Sequence, residues 1–103
     1  MTLGLLRVAA GDAQAGIEAM RHAGRLDIYN PKPFANIARI ELMRNRPEAA
    51  CEAQQIAVAR DPNQPSRHLI LAELLEKLGR KEEAEAALRR ANELRVSVRA
   101  SQS

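Results

Sequence analysis

The sequence predicts an all-α fold, an α-α superhelix of antiparallel helical hairpins, and three observations carry that expectation. Strong helix formers (Ala, Leu, Arg and Glu) dominate the 103 residues, while aromatic residues make up only 2% and Trp is absent. Apolar residues recur at helical spacing between short breaks marked by Gly, Asn and Pro. Most decisive is self-similarity: a shift of 34 residues superimposes Gly79 on Asn45 and then on Gly11, each at the end of an expected helix.

The same shift aligns Ala84 with Ala50 and Gly16, all small, and Ala91 with Ala57 and Ala23, all identical. Upstream it aligns Ala72, Ala38 and Gly4, and beside them the branched apolar residues Leu71, Ile37 and Leu3, then Leu74, Ile40 and Leu6. Gly and Asn tolerate the left-handed backbone that ends a helix, which suits the turn column. The small columns have a mechanical meaning. Two helices joined by a short turn pack antiparallel and approach closely only where side chains are small. Ala72 opposite Ala84, Ala38 opposite Ala50 and Gly4 opposite Gly16 supply such points, and a larger residue there would cost about 1–3 kcal/mol.

Three hairpins follow in order. The first runs over about Thr2–Ala10 and, from Asp12 as N-cap, to Leu26. In the second, Asn30 caps a helix starting at Pro31, with Phe34, Ile37, Ala38 and Ile40 inward; proline suits that first turn because its missing N–H has no intrahelical partner. Pro47 opens the following helix, which carries Ala50, Cys51, Ala57 and Val58 inward before "RDPNQP" stops it at Pro62. The third hairpin spans Pro65–Leu78 and Lys81 to about Arg95. A single domain over residues 1–95 results, with repeats at about 1–30, 31–64 and 65–98 and a flexible tail over 96–103.

The formal charge is +3 with a pI near 9.6. Basic residues are interleaved with Glu over all six helical segments, and Glu76–Arg80 and Glu85–Arg89 stand at i,i+4, the spacing of a solvated helix face rather than of a nucleic-acid surface. Cys51 is the only cysteine, so an intrachain disulfide is excluded. No apolar run approaches the ~20 residues that span a bilayer, and "MTLGLLRVAAG" lacks the basic leader and long apolar stretch of a secretion signal. The expectation is a cytoplasmic protein without a membrane partner.

Within this frame, "SRHLILAELLEKLGRKEEAEAALRRANEL" and "FANIARIELMRNRPEAACEAQQIAVARDP" resemble the tetratricopeptide repeat, a 34-residue helix–turn–helix motif with small residues at these columns. "LGLLRVAAGDAQAGIEAMRHAGRLD" is a weaker match that lacks the first turn of its leading helix. The pattern is broken at His68, where the second repeat has the bulky aromatic Phe34, and at "LRVSVRASQS", which replaces the usual closing Asp-Pro. No solvating helix follows to cover the last apolar face.

The resemblance implies a non-catalytic protein-interaction scaffold whose leading helices line a concave groove for a peptide or partner helix. Carried over by position, the groove presents Leu5 and Ala9, then Lys32, Asn36, Arg39 and Met43, then Ser66, Ile70, Glu73 and Lys77. Lys32 and Arg39 would take a carboxylate, Met43 and Ile70 an apolar side chain, and Asn36 a peptide backbone. The Lys/Asn/Arg clamp by which some such domains grip a C-terminal carboxylate is not expected. Its positions hold Met1, Leu5, Asn36, Ser66 and Ile70, and only Asn36 fits.

Catalysis, metals and cofactors are not expected. His22 stands among charged neighbours, His68 occupies a column that is normally buried, and Cys51 reads as a small core residue. One Cys and two His, widely spaced, do not make a zinc site. The isolated Gly11, Gly16 and Gly24 make no phosphate loop. Two other readings stand beside the scaffold: a homodimer or stack built through Leu88, Leu94, Val96 and Val98, and an accessory segment of a larger enzyme such as a glycosyl- or sulfotransferase. Nucleic acid is a remote partner, because so few aromatics leave little to stack on bases.

Overall fold

In the computed structural model, which describes residues 2–102 and the side chains of residues 12–97, the chain forms five α-helices: α1 (Thr2–Leu26), α2 (Lys32–Met43), α3 (Pro47–Arg60), α4 (Pro65–Lys77) and α5 (Lys81–Gln102). Helices α2 and α3 form one hairpin and α4 and α5 another, with α1 laid against α2. Each helix packs on its neighbours in sequence: α1 on α2, α2 on α3, α3 on α4 and α4 on α5. That serial packing draws the molecule out. Its radius of gyration is 15.1 Å, against about 13 Å for a compact domain of this length.

Local chemistry explains where these helices begin and end. Asn30 Oδ1 accepts the Lys32 N–H at 3.0 Å, and Pro31 is already helical at φ −78°, so Asn30 caps α2 as its sequence position suggests. Pro47 and Pro65 occupy the first positions of α3 and α4, where no N–H is required. The two hairpin turns are built alike. Asn45 (φ 60°) and Gly79 (φ 77°) both take the left-handed conformation. The next N–H in each case reaches back five residues in the Schellman manner, Arg46 to Glu41 O at 2.8 Å and Arg80 to Leu75 O at 2.9 Å.

The core is narrow and made largely of small residues. Ile17, Ile37, Ala38, Ala50, Cys51, Ala53, Ala72, Leu74, Leu75, Ala84 and Ala87 form one buried cluster, and Phe34, Ile40, Leu71 and Leu78 pack on its edge. Both members of the Ala38/Ala50 and Ala72/Ala84 columns are buried, as close helix approach requires. Polar groups inside this core are paired, and among the described residues no buried side-chain nitrogen or oxygen lacks a partner. Glu41 lies in the column held by Leu75 in the next repeat. Its buried carboxylate accepts from Arg44 at 3.1 Å and has Arg46 at 4.0 Å, which compensates the desolvated charge.

Three expectations are corrected. Residues 2–26 form one continuous helix, so there is no turn at Gly11, and Gly4 cannot stand opposite Gly16 within one chain. Twelve residues along one helix separate them by roughly 18 Å. A single interior glycine costs a helix only about 1 kcal/mol relative to alanine, and the flanking "RVAA" and "DAQA" sustain it. Helix α5 runs to Gln102, past both the Arg95 boundary and the expected start of a tail. The i,i+4 pairs give way to i,i+3 pairs. Arg80 lies beyond the Gly79 turn and bonds Glu83 at 2.7 Å instead of Glu76, and on the outer face of α5 it is Arg90 and Glu93 that pair, at 3.5 Å.

If close approach at the small columns holds each hairpin, Ala50→Leu should lower stability by about 1–3 kcal/mol in urea unfolding. Ala59→Leu, on the exposed side of the same helix, should change it by less than about 0.5 kcal/mol.

Candidate interaction surface

Lys32, Asn36, Arg39 and Met43 recur at intervals of three and four, so they share one face of α2, opposite the face that buries Pro33, Ile37 and Glu41. Ser66, Ile70, Glu73 and Lys77 hold the equivalent face of α4. Lys32, Arg39, Met43, Ser66, Ile70, Glu73 and Lys77 are exposed and Asn36 half-buried, its amide nitrogen 4.0 Å from the Met20 sulfur. Met43 is the most open apolar residue of the set at 73% exposed. The structure thus brings each set of four onto a common strip. The two strips remain separate ridges, because α2 and α4 both pack on α3 rather than on each other. Leu5 and Ala9 lie outside the residues whose side chains are described, as does Met1 of the clamp columns.

The α2 strip carries two cations and an exposed thioether, a surface suited to an acidic and apolar ligand. The α4 strip is mixed in charge, and Glu73 and Lys77, with Glu76, border an open depression of about 420 Å³.

The start of the α2 strip is positioned by a clasp that the sequence reading missed. Arg60, at the last turn of α3, extends one guanidinium nitrogen to three carbonyl oxygens: Gly24 at 2.9 Å, Asp27 at 3.1 Å and Asn30 at 3.3 Å. Its guanidinium also lies 4.6 Å from the centroid of the Phe34 ring, within cation–π range. A cation is well placed there, because the C-terminal carbonyls of α1 carry the negative end of the helix dipole. Gly24 is what lets the ring in: a Cβ at that position would lie only 3.0 Å from Phe34 Cζ and closer still to Cε2. The loop so fixed presents Ile28 and Tyr29, beside the exposed Leu26 that ends α1, with Tyr29 81% exposed. The available signal was the pair Ile28 and Tyr29 in "LDIYN", large apolar side chains in a connection instead of on a helix face.

At the junction between the two hairpins, different chemistry does the same work. Gln54 Nε2 donates to Arg67 O at 3.0 Å, Arg67 pairs with Asp61 at 2.9 Å, and the ring of buried His68 approaches Pro62 O at 2.7 Å. A carbonyl only accepts, so Nε2 of His68 carries the proton and serves as a structural donor. Cys51 is buried, and desolvation pushes its thiol up from its ordinary value against the opposing pull of Arg80, so it is held as a neutral core group. Among the described residues no three His, Cys, Asp or Glu side chains gather to hold a metal, and no helix is long and apolar enough to cross a membrane.

The residues expected to mediate self-association divide. Leu88 and Val96 are exposed, and Leu88 borders a depression of about 150 Å³ between α4 and α5 together with Leu69, Ala72, Ala84 and three glutamates. Leu94 is only 9% exposed and belongs to the chain's own interior, because it lies on the buried stripe of α5 with Ala87 and Ala91. Val98 lies outside the described side chains.

Comparison with known proteins supports the resemblance read from the repeats. Residues 66–95 match the tetratricopeptide-repeat family model. No curated protein sequence matches the chain. Among solved structures, MamA superimposes with a TM-score of 0.77 at 18% identity over 86% of this chain, which spans 52% of MamA. The type III secretion chaperone SycD of Yersinia enterocolitica, in complex with a peptide of the translocator YopD, gives 0.70 at 21% identity over 98% of this chain and 83% of SycD. PcrH, in complex with the chaperone binding region of PopD, gives 0.70 at 22% identity over 93% of this chain and 72% of PcrH. At these identities the likeness establishes the fold, a helical solenoid of the tetratricopeptide-repeat kind.

If Gly24 exists to admit Phe34, Gly24→Ala should destabilise by about 1–3 kcal/mol even though alanine is the better helix former. In a Phe34→Leu background the same change should cost less than about 0.5 kcal/mol, and a double-mutant cycle in urea would read the difference. Additive costs would mean that the ring and the glycine are unrelated.

Proposed function

We propose that this chain, a short helical array with a tetratricopeptide repeat at residues 66–95, is a non-catalytic interaction module that holds a peptide or partner helix along the exposed strips of α2 and α4. The observation that carries the reading is the α2 strip. Lys32, Arg39 and Met43 stand exposed on one face, on the helix whose start is pinned by the Asn30 cap and the Arg60 clasp. A rigid face of two cations around an apolar side chain selects a ligand that pairs carboxylates with an apolar anchor. Ile70 on α4 offers a second apolar contact and Asn36 a donor for peptide carbonyls. SycD and PcrH, which share the fold, have been seen with peptide segments of YopD and PopD, and that use of the fold supports the reading.

Fluorescence anisotropy with a labelled amphipathic peptide carrying Glu or Asp on either side of Leu tests it. Binding should weaken at least tenfold, a loss of about 1.4 kcal/mol, in the Lys32→Glu/Arg39→Glu variant. The Arg89→Glu variant, altered on the outer face of α5, should bind as the parent does, and all three should unfold at the same urea concentration. Equal binding by parent and α2 variant would rule out the α2 strip as the seat of the peptide.

A further inference from the structure

The second helix of a repeat offers one face to the leading helix of the next. On α3 that face includes Cys51 and Gln54, both buried where α4 packs, and Gln54 Nε2 donates to Arg67 O of α4 at 3.0 Å. One repeat further on, the same columns of α5 hold Glu85 and Leu88, and both are exposed. The described residues do not fold back over them. Helix α3 stops at Arg60 and α4 starts at Pro65, but α5 continues unbroken through the matching columns, Leu94 and Arg99, to Gln102.

What is left open is a cleft of about 150 Å³ between α4 and α5. Its floor is apolar, built from Leu69, Ala72, Ala84 and Leu88. Its rim consists of three carboxylates, Glu73, Glu76 and Glu85, and no cation lines it. None of the three belongs to the ion pairs found among the described residues. Lys77 joins Glu73 and Glu76 only in the neighbouring depression. The cleft is smaller than the ~300–1,000 Å³ of small-molecule sites and suits a side chain instead.

We propose that this cleft receives a basic amphipathic helix of a partner protein, laid where α4 lies over Cys51 and Gln54 one repeat earlier. The internal junction gives the shape of the occupant, because the matching face there is covered by a helix. The rim gives its charge. Lys or Arg lays its methylenes along an apolar floor while its charged end reaches outward, here to the carboxylates, and an apolar neighbour on the same helix face packs on Leu88. The chain as a whole carries +3, so the attraction for a cation is local to this cleft and not a property of the surface at large. The α2 strip selects the opposite charge. The cleft is therefore a second site, and it does not depend on the peptide reading of that strip.

Fluorescence anisotropy at physiological salt, with a labelled helical peptide bearing Leu and Lys on one face and no acidic residue, tests the proposal. Glu73 also belongs to the α4 strip and is left unaltered. Glu76→Gln/Glu85→Gln should weaken binding by about tenfold or more, and so should Leu88→Gln, which leaves the charge as it is. Glu18→Gln/Glu93→Gln makes the same change of charge elsewhere and should bind as the parent does. Lys32→Glu/Arg39→Glu, which disables the α2 strip, should hold this peptide no less tightly, so failure of one site is distinguishable from failure of the other. All the altered side chains are exposed, and the variants should unfold at the parent's urea concentration. By light scattering the parent without peptide should have the single-chain mass of 11.4 kDa. A dimer that is lost in Leu88→Gln would give the cleft to a second copy of this chain and overturn the proposal. No binding by the parent, undiminished binding by the cleft variants, or equal weakening in Glu18→Gln/Glu93→Gln would overturn it as well.

Discussion

Arg60 reaches back from the last turn of α3 to the carbonyls of Gly24, Asp27 and Asn30, and the position of the first helix depends on that contact. A chain of helices packed only on their sequence neighbours has no central core to define how each helix is set. Orientation must come from fixed contacts at the junctions. One guanidinium on three carbonyls satisfies the end of α1, the following loop and the entry to α2 together, and its stacking on Phe34 ties the same group to the hydrophobic edge. Charge-assisted hydrogen bonds of this kind are the stronger class, and they are directional where apolar packing is not.

The second junction meets the same need with other residues. Arg67, Asp61, Gln54 and His68 knit the end of α3 to the start of α4, while Leu94 stands in the column of Arg60 and is simply buried. The shared requirement is that buried polar backbone at each crossing find a partner, and sequence is free to vary in how it supplies one. Between junctions the geometry is uniform: small residues let paired helices approach, and one left-handed residue turns the chain. The exposed strips of α2 and α4 are by-products of that regularity, since burying one face of an amphipathic helix leaves the other to solvent at constant spacing.

Much of this was legible in the sequence because it depends on short-range chemistry repeated at a fixed period. Asn45 and Gly79 were readable as left-handed turns, Pro47 and Pro65 as helix starts, Asn30 as a cap, and the alanine columns as contact points. Gly11 was misread because a period indicates where a turn fits, not whether tertiary contacts will bend an Ala-rich stretch there. The Arg60 clasp was hidden because it joins residues about thirty apart through backbone oxygens, which leave no trace in side-chain pattern. Leu94 misled for the opposite reason. An apolar residue near the end of a sequence looks like open surface until the continuing helix shows which of its faces is turned inward. On the candidate surface, the exposure of the α2 and α4 residues followed from helical periodicity, whereas the loop bearing Tyr29 is placed by contacts that no local pattern encodes.

Native-state hydrogen exchange on the parent chain and on Arg60→Met tests the role of the clasp most directly. Methionine keeps much of the side-chain bulk and removes the charge and its donors. Loss of protection at the amides of Asp27, Asn30 and Lys32 and through the second half of α1, with α4 and α5 unchanged, is the expected result. Equal loss along all five helices, or no loss at the α1–α2 connection, would contradict the claim that this one guanidinium sets the first helix on the array.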